Sequence, residues 1–132
     1  MARKYDKYIF NPPPVLFKTG DNGQIIWNSN VLNNTLTIPN LTLNYHLVTK
    51  PYISKSTPHT HNYQEFLAWY GCNLKDPEDF GAEIVLYLGE ELEKYVITKS
   101  TLVSLPPGFS HCPMEITRVD RPIFQIAMTL DV

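Results

Sequence analysis

Apolar positions along the chain recur in short runs broken by turn residues, and none of these runs keeps a helical period. Two runs at 15–17 and 24–27 flank Gly20-Asp21-Asn22-Gly23, the arrangement expected of a hairpin. Residues 36–38 and 41–48 carry the β-branched, alternating character of strands, interrupted at Pro39-Asn40. Further strands are expected over 83–88, 93–98, 102–105 and 122–130, with Gly89-Glu90-Glu91 as a turn between two of them. The segment 71–81 reads as a polar loop with room for one helical turn. The pattern therefore predicts an all-β domain of about eight to ten short strands, a barrel or a sandwich.

Composition narrows this picture. A chain of 132 residues suits one domain, and 43% hydrophobic with 18% charged residues suits a folded one. Residues 1–14 stand apart as an N-terminal arm, because Tyr5, Tyr8, Ile9 and Phe10 lead into Pro12-Pro13-Pro14, which cannot occupy a central strand. The single barrel domain is then expected over 15–132. The arm's aromatics are suited to covering either the domain's own surface or that of a second subunit. A formal net charge of −2 offers no basic field for nucleic acid. No apolar run approaches the length of a membrane span, and no export signal is evident at the start. The expectation is a soluble, cytoplasmic protein with Cys72 and Cys112 as reduced thiols.

The chemistry concentrates in two stretches. Pro58-His59-Thr60-His61-Asn62-Tyr63-Gln64-Glu65 brings two imidazoles and a carboxylate, and Leu105-Pro106-Pro107-Gly108-Phe109-Ser110-His111 brings a third imidazole just after a turn. In an extended segment the odd positions His59, His61, Tyr63, Glu65, Leu67 and Trp69 share one face. Three imidazoles and one carboxylate form a suitable shell for one divalent transition metal (Fe, Mn, Ni, Cu or Zn), with His59, His61, Glu65 and His111 as ligands and coordination positions left over. Tyr63, Leu67, Trp69, Phe109 and Met128 are candidates for a pocket wall, with plain core packing as the competing reading for each. Tyr52 and His46 are candidates, beside Glu65, for catalytic polar groups. Glu83 has the parity of Val85 and Tyr87, which suits a solvated strand face better than the site. Cys112, directly after His111, is expected to point away from the metal. No nucleophile elbow, phosphate-binding glycine loop or Cys-x-x-Cys pair competes with this site.

These stretches resemble the paired motifs of the cupin superfamily. His59-Thr60-His61, Glu65 and Gly71 match the first motif, with Gly71 one residue early, and Pro106-Pro107-Gly108 with His111 match the second. Ile53 and Ser100 stand where the motifs open on glycine, and Glu115 where the second closes on asparagine. The resemblance, covering about residues 41–130, implies a double-stranded β-helix, a jelly-roll barrel with the metal inside, and a homodimer. It also implies a metal-dependent enzyme acting on a small organic molecule with a carbonyl, carboxylate or enol group, a dioxygenase first of all. The alternatives are a non-redox lyase, decarboxylase or isomerase, or a non-catalytic module binding a small ligand or metal.

Overall fold

The computed structural model describes residues 3–9, 11, 15–19, 24–33, 41–54 and 56–131, with the backbone alone for 15–19 and 24–33. Ten strands make up almost all of its regular structure: β1 Val15–Thr19, β2 Gln24–Asn33, β3 Leu41–Val48, β4 Tyr52–Ile53, β5 Gln64–Gly71, β6 Ala82–Leu88, β7 Glu93–Ile97, β8 Thr101–Leu105, β9 His111–Val119 and β10 Ile123–Leu130. They form a six-stranded sheet, β1-β2-β3-β10-β5-β8, and a four-stranded sheet, β4-β9-β6-β7, with antiparallel pairing throughout. This is an all-β barrel, as the strand pattern allowed, and the jelly roll that the motif resemblance implied.

The strands expected at 41–48, 83–88, 93–98, 102–105 and 122–130 fall where the pattern placed them, within a residue or two, and the strands of the expected hairpin pair as β1 and β2, although β2 runs six residues past the expected 24–27. The expected strand at 36–38 and the three prolines of the arm lie outside the described residues. Two strands carried no clear signal. β4 has only two residues, and β9 is interrupted by Pro113 and ends in the polar Thr117-Arg118. In the arm, a short 3₁₀ turn at Asp6–Tyr8 leaves Tyr5, Tyr8 and Ile9 more than half exposed, so these side chains do not cover the domain's own surface.

Strand register sorts the inward side chains of the larger sheet into layers. Thr42, Thr129, Glu65 and Leu105 align across β3, β10, β5 and β8 at the mouth, with the Thr42 and Thr129 hydroxyls hydrogen-bonded. Asn44, Ala127, Leu67 and Val103 follow, then His46, Gln125, Trp69 and Thr101. Val48 and Ile123 close the floor, opposite Ile84, Leu86 and Ile116 from the smaller sheet, all at 0–1% exposure. Burying an aliphatic side chain of this size contributes roughly 1.5–3 kcal/mol, so this floor supplies much of what holds the two sheets together.

The layers correct two members of the expected pocket wall. Trp69 has the inward parity assigned to it, but it lies fully buried within the core cluster, behind Gln125, and does not line the cavity. Met128 shares the parity of Phe124, opposite to that of Gln125, and therefore faces away from the barrel interior. Glu83 lies on the outer face, where it accepts a hydrogen bond from Thr117 Oγ1 at 2.9 Å and faces Arg118 at 3.7 Å.

Candidate metal centre

Backbone pairing, more than strand parity, brings the two histidine stretches together. His59 and His111 exchange both main-chain hydrogen bonds at 3.1 Å, forming a bridge outside the main ladders. The amide of Gly108 donates to His61 O at 2.8 Å, fastening the turn before His111 to the His-x-His segment. That turn runs from Pro106 to Phe109 and holds Gly108 at φ +81°, the left-handed position that a type II turn reserves for glycine. The Pro-Pro-Gly sequence thus fixes where His111 enters β9.

The three imidazoles converge, with ligand atoms all within 4.8 Å of one another. Their ring centroids stand 4.4–5.2 Å apart. His59 Nδ1 lies 2.6 Å from Thr57 O, and His111 Nδ1 lies 3.0 Å from Phe109 O. A carbonyl only accepts, so each Nδ1 carries the proton and each Nε2 offers its lone pair. His61 Nδ1 lies 3.1 Å from the Tyr63 hydroxyl. All three rings are therefore oriented by a partner at Nδ1, the arrangement that fixes imidazoles as metal ligands.

Glu65 completes the cluster. Its Oε2 stands 3.2 Å from His61 Nε2 and 3.1 Å from His111 Nε2, yet this buried oxygen has no hydrogen-bond partner. Neutral His111, protonated at Nδ1, turns a bare Nε2 towards this oxygen, and only the protonated ring donates a hydrogen bond to it. A buried carboxylate oxygen without a partner is costly unless something else neutralises it. A cation among the three imidazoles and Glu65 would do so, and the nitrogen and oxygen donor set suits a first-row transition metal.

Electrostatics follow the same geometry. Burial alone would raise the Glu65 carboxyl, but the neighbouring His111, His61 and His59 outweigh it and hold the group below its ordinary value. The Glu65 carboxylate raises His111 against the opposing effect of burial. Burial lowers His61, with Glu65 opposing the change and the two other imidazoles reinforcing it.

Below the cluster lies a cavity of about 210 Å³, lined by His46, Tyr52, Ser54, Ser56, His59, Glu65, Leu67, His111, Cys112, Met114 and Gln125. Glu65, Tyr52 and His46, the three candidate catalytic groups, thus line one cavity, and Leu67 joins them. Tyr63 and Phe109 do not. Bends at Asn62 and Tyr63 break the extended run before β5, so Tyr63 leaves the parity of Glu65 and stacks on His61 at 4.7 Å between ring centroids. Phe109 sits in the turn, 38% exposed, and its carbonyl accepts a hydrogen bond from His111 Nδ1.

Cys112 departs from the expected orientation. Its φ of +77° turns the backbone out of the extended region, and the β6–β9 register shifts between Leu86 and Leu88. His111 and Cys112 therefore both face inward, where burial, then the Glu65 charge, push the thiol up to about 11. Both cysteines are free. Gln125 lies outside the motifs, although a signal existed: with Thr129 it is one of two polar residues in β10, both at the inward parity.

No protein-family model and no curated protein matches this sequence. Solved structures do match. A predicted oxalate decarboxylase from Thermotoga maritima aligns over 94% of this chain and 99% of its own, with a TM-score of 0.64 and 9% identity. HppE in its Fe(II) form aligns over 92% of this chain with a TM-score of 0.58 and 17% identity, and the chain spans 60% of that protein. A Cupin 2 conserved barrel domain protein from Salinispora arenicola aligns over all of this chain and 89% of its own, with a TM-score of 0.52 and 14% identity. At these identities the likeness is one of fold, and the fold is that of the cupins.

Proposed function

We propose that this chain is a metal-dependent enzyme that acts on a small organic molecule through a carbonyl, carboxylate or enol oxygen, with dioxygenase-type chemistry as the leading reading. The observation that carries it is the unpartnered Glu65 Oε2, buried among imidazoles beside a cavity. His59, His61, Glu65 and His111 would hold the metal, which would supply Lewis acidity towards a substrate oxygen or, as Fe, Mn, Cu or Ni, redox chemistry with O₂. Among the neighbours in fold, the Fe(II) form of HppE is in keeping with such a site.

The chain's own groups have definable tasks. Glu65 supplies the one negative charge among neutral imidazoles, which leaves a divalent site a net positive charge for an anionic oxygen. Thr57 O, Phe109 O and the Tyr63 hydroxyl keep the three rings in place. Leu67 and Met114 present apolar surface beside the cluster and limit water there. Tyr52 and His46 stand at the far side of the cavity, where they can hold a substrate oxygen or exchange a proton with it. That last capacity favours a second reading, a non-redox lyase, decarboxylase or isomerase.

An oxygen electrode tests the proposal, with Fe(II)-loaded protein offered 2-oxo acids, β-diketones and enolisable hydroxyketones. Substrate-dependent O₂ uptake that is lost in Glu65→Gln supports the leading reading. Turnover without O₂ uptake, followed by NMR, replaces it with the second. Binding without any turnover would reduce the protein to a ligand-binding module. A homodimer is part of the same proposal, supported by the exposed Tyr70, Leu102 and Phe124 on the larger sheet and by the exposed arm aromatics; light scattering would read its mass.

A further inference from the structure

The wall of the cavity opposite the metal cluster holds a hydrogen-bond chain whose polarity can be read from its first link. Trp69 Nε1 donates to Gln125 Oε1 at 2.8 Å, and both residues are buried. An indole N–H can only donate, so it fixes which end of the amide is oxygen. The Gln125 Nε2 end then faces His46 Nδ1 at 3.1 Å and the Tyr52 hydroxyl oxygen at 3.3 Å. That nitrogen has two hydrogens and no lone pair to offer. Both neighbours must therefore accept: His46 is the tautomer protonated at Nε2, and Tyr52 keeps its own hydrogen for another partner. Burial of His46 favours the same neutral ring.

Charge narrows the choice of partner. Among the described residues lining the cavity there is no lysine or arginine, and the one carboxylate belongs to the metal cluster. A second carboxylate on the ligand would be buried against this wall without a counter-charge, and an ammonium would meet a hydroxyl that is set to donate. A neutral carbonyl oxygen meets neither penalty. The cavity volume of about 210 Å³ is on the order of seven water volumes, so the ligand has to be small.

We propose that Trp69 and Gln125 act as positioning residues that make the cavity selective for a small oxo acid, whose carboxylate goes to the metal cluster and whose neutral carbonyl accepts a hydrogen bond from Tyr52. This deepens the metal-site reading and rests on it for the carboxylate end; the polarity of the far wall stands without a metal. Trp69, first a candidate for the pocket wall, thus acts on the cavity through Gln125.

Two measurements test it separately. In metal-free protein, long-range ¹H–¹⁵N correlation spectra of the histidines should show His46 protonated at Nε2 and bare at Nδ1, whereas protonation at Nδ1 would overturn the proposal. In protein loaded with Ni(II), calorimetry compares levulinate with succinate, which has a carboxylate in place of its acetyl group, and with 4-aminopentanoate, which has an ammonium in place of its keto oxygen. Levulinate should bind at least about tenfold more tightly than either, the scale of one buried hydrogen bond against an unmatched polar group. Tyr52→Phe should remove that preference at unchanged nickel content, and Gln125→Glu should remove it and shift the His46 proton to Nδ1. Equal binding of the three acids, or a preference that survives Tyr52→Phe, would overturn the selectivity. Failure to take up nickel would overturn the metal-site reading instead, and the His46 tautomer would still decide the polarity.

Discussion

The two ends of the barrel are built from the same strands and obey the same alternation, yet they do opposite things. At the floor, Val48, Ile84, Leu86, Ile116 and Ile123 are withdrawn from water at 0–1% exposure, with no ionisable group among them. At the mouth, three imidazoles and a carboxylate crowd together, and one buried oxygen has no partner. Along β5 the inward side chains change from Glu65 through Leu67 to Trp69 as the strand descends. Stability and chemistry are thus separated by depth within one strand. The cost of holding an uncompensated cluster at the mouth is met by apolar burial at the floor.

The division can be broken from the floor, where the largest effect is expected. Leu86→Ala should lower stability in urea by about 2–5 kcal/mol while leaving metal stoichiometry intact in the folded fraction. An equal loss from His59→Ala in metal-free protein would mean that the mouth, too, serves mainly as core. At the mouth, Glu65→Gln should weaken metal binding by more than the roughly 10–100-fold that loss of a partner oriented behind a ligand costs, as read by competition with a chelator. Tyr63→Phe removes only the hydroxyl at His61 Nδ1 and should fall within that lower range, about tenfold. The smallest change belongs to the outer surface: Glu83→Gln, which breaks an exposed contact with Arg118, should alter stability by no more than about 1 kcal/mol and metal affinity not at all.

The pH dependence of metal-free protein sharpens the same contrast. Glu65 is held below its ordinary value of 4.5, so its contribution to stability is present above that value and fades as pH falls through the folded one. His111 is raised above 6.5, so its contribution is present below that value and fades as pH rises through the folded one. Together they stabilise the apo mouth most fully between 4.5 and 6.5. The lowered His61 and His46 act the other way, weakening the fold as pH falls below 6.5, so the pair is read from the difference in urea midpoint between wild type and Glu65→Gln, which should be largest inside this window.

How much of this could be read from the chain depends on what strand parity encodes. Parity gives the face, and the motif gives the cluster, so the gathering of His59, His61, Glu65 and His111 was legible, as were the inward Leu67 and the outward Glu83. Parity does not show which inward side chains reach the cavity, which is why Trp69 reads as pocket wall but lies behind Gln125 in the same layer. It also assumes unbroken extension. The bends at Asn62 and Tyr63 and the left-handed backbone at Cys112 break that assumption, carrying Tyr63 out of the cavity wall and Cys112 into it. β9 was hidden because Pro113 and a polar end mask its pairing with β6. Gln125 could be found by asking which polar residues occupy inward positions in a mostly apolar strand.

The central claim, that the mouth of the barrel is a metal site, is tested most directly by elemental analysis of protein purified without a histidine tag. Wild-type protein should carry close to one equivalent of Fe, Mn, Ni, Cu or Zn as isolated or after each is offered in turn, and Glu65→Gln should lose most of it through dialysis against chelator. Folded wild-type protein that retains none of these metals after every one has been offered would contradict the claim.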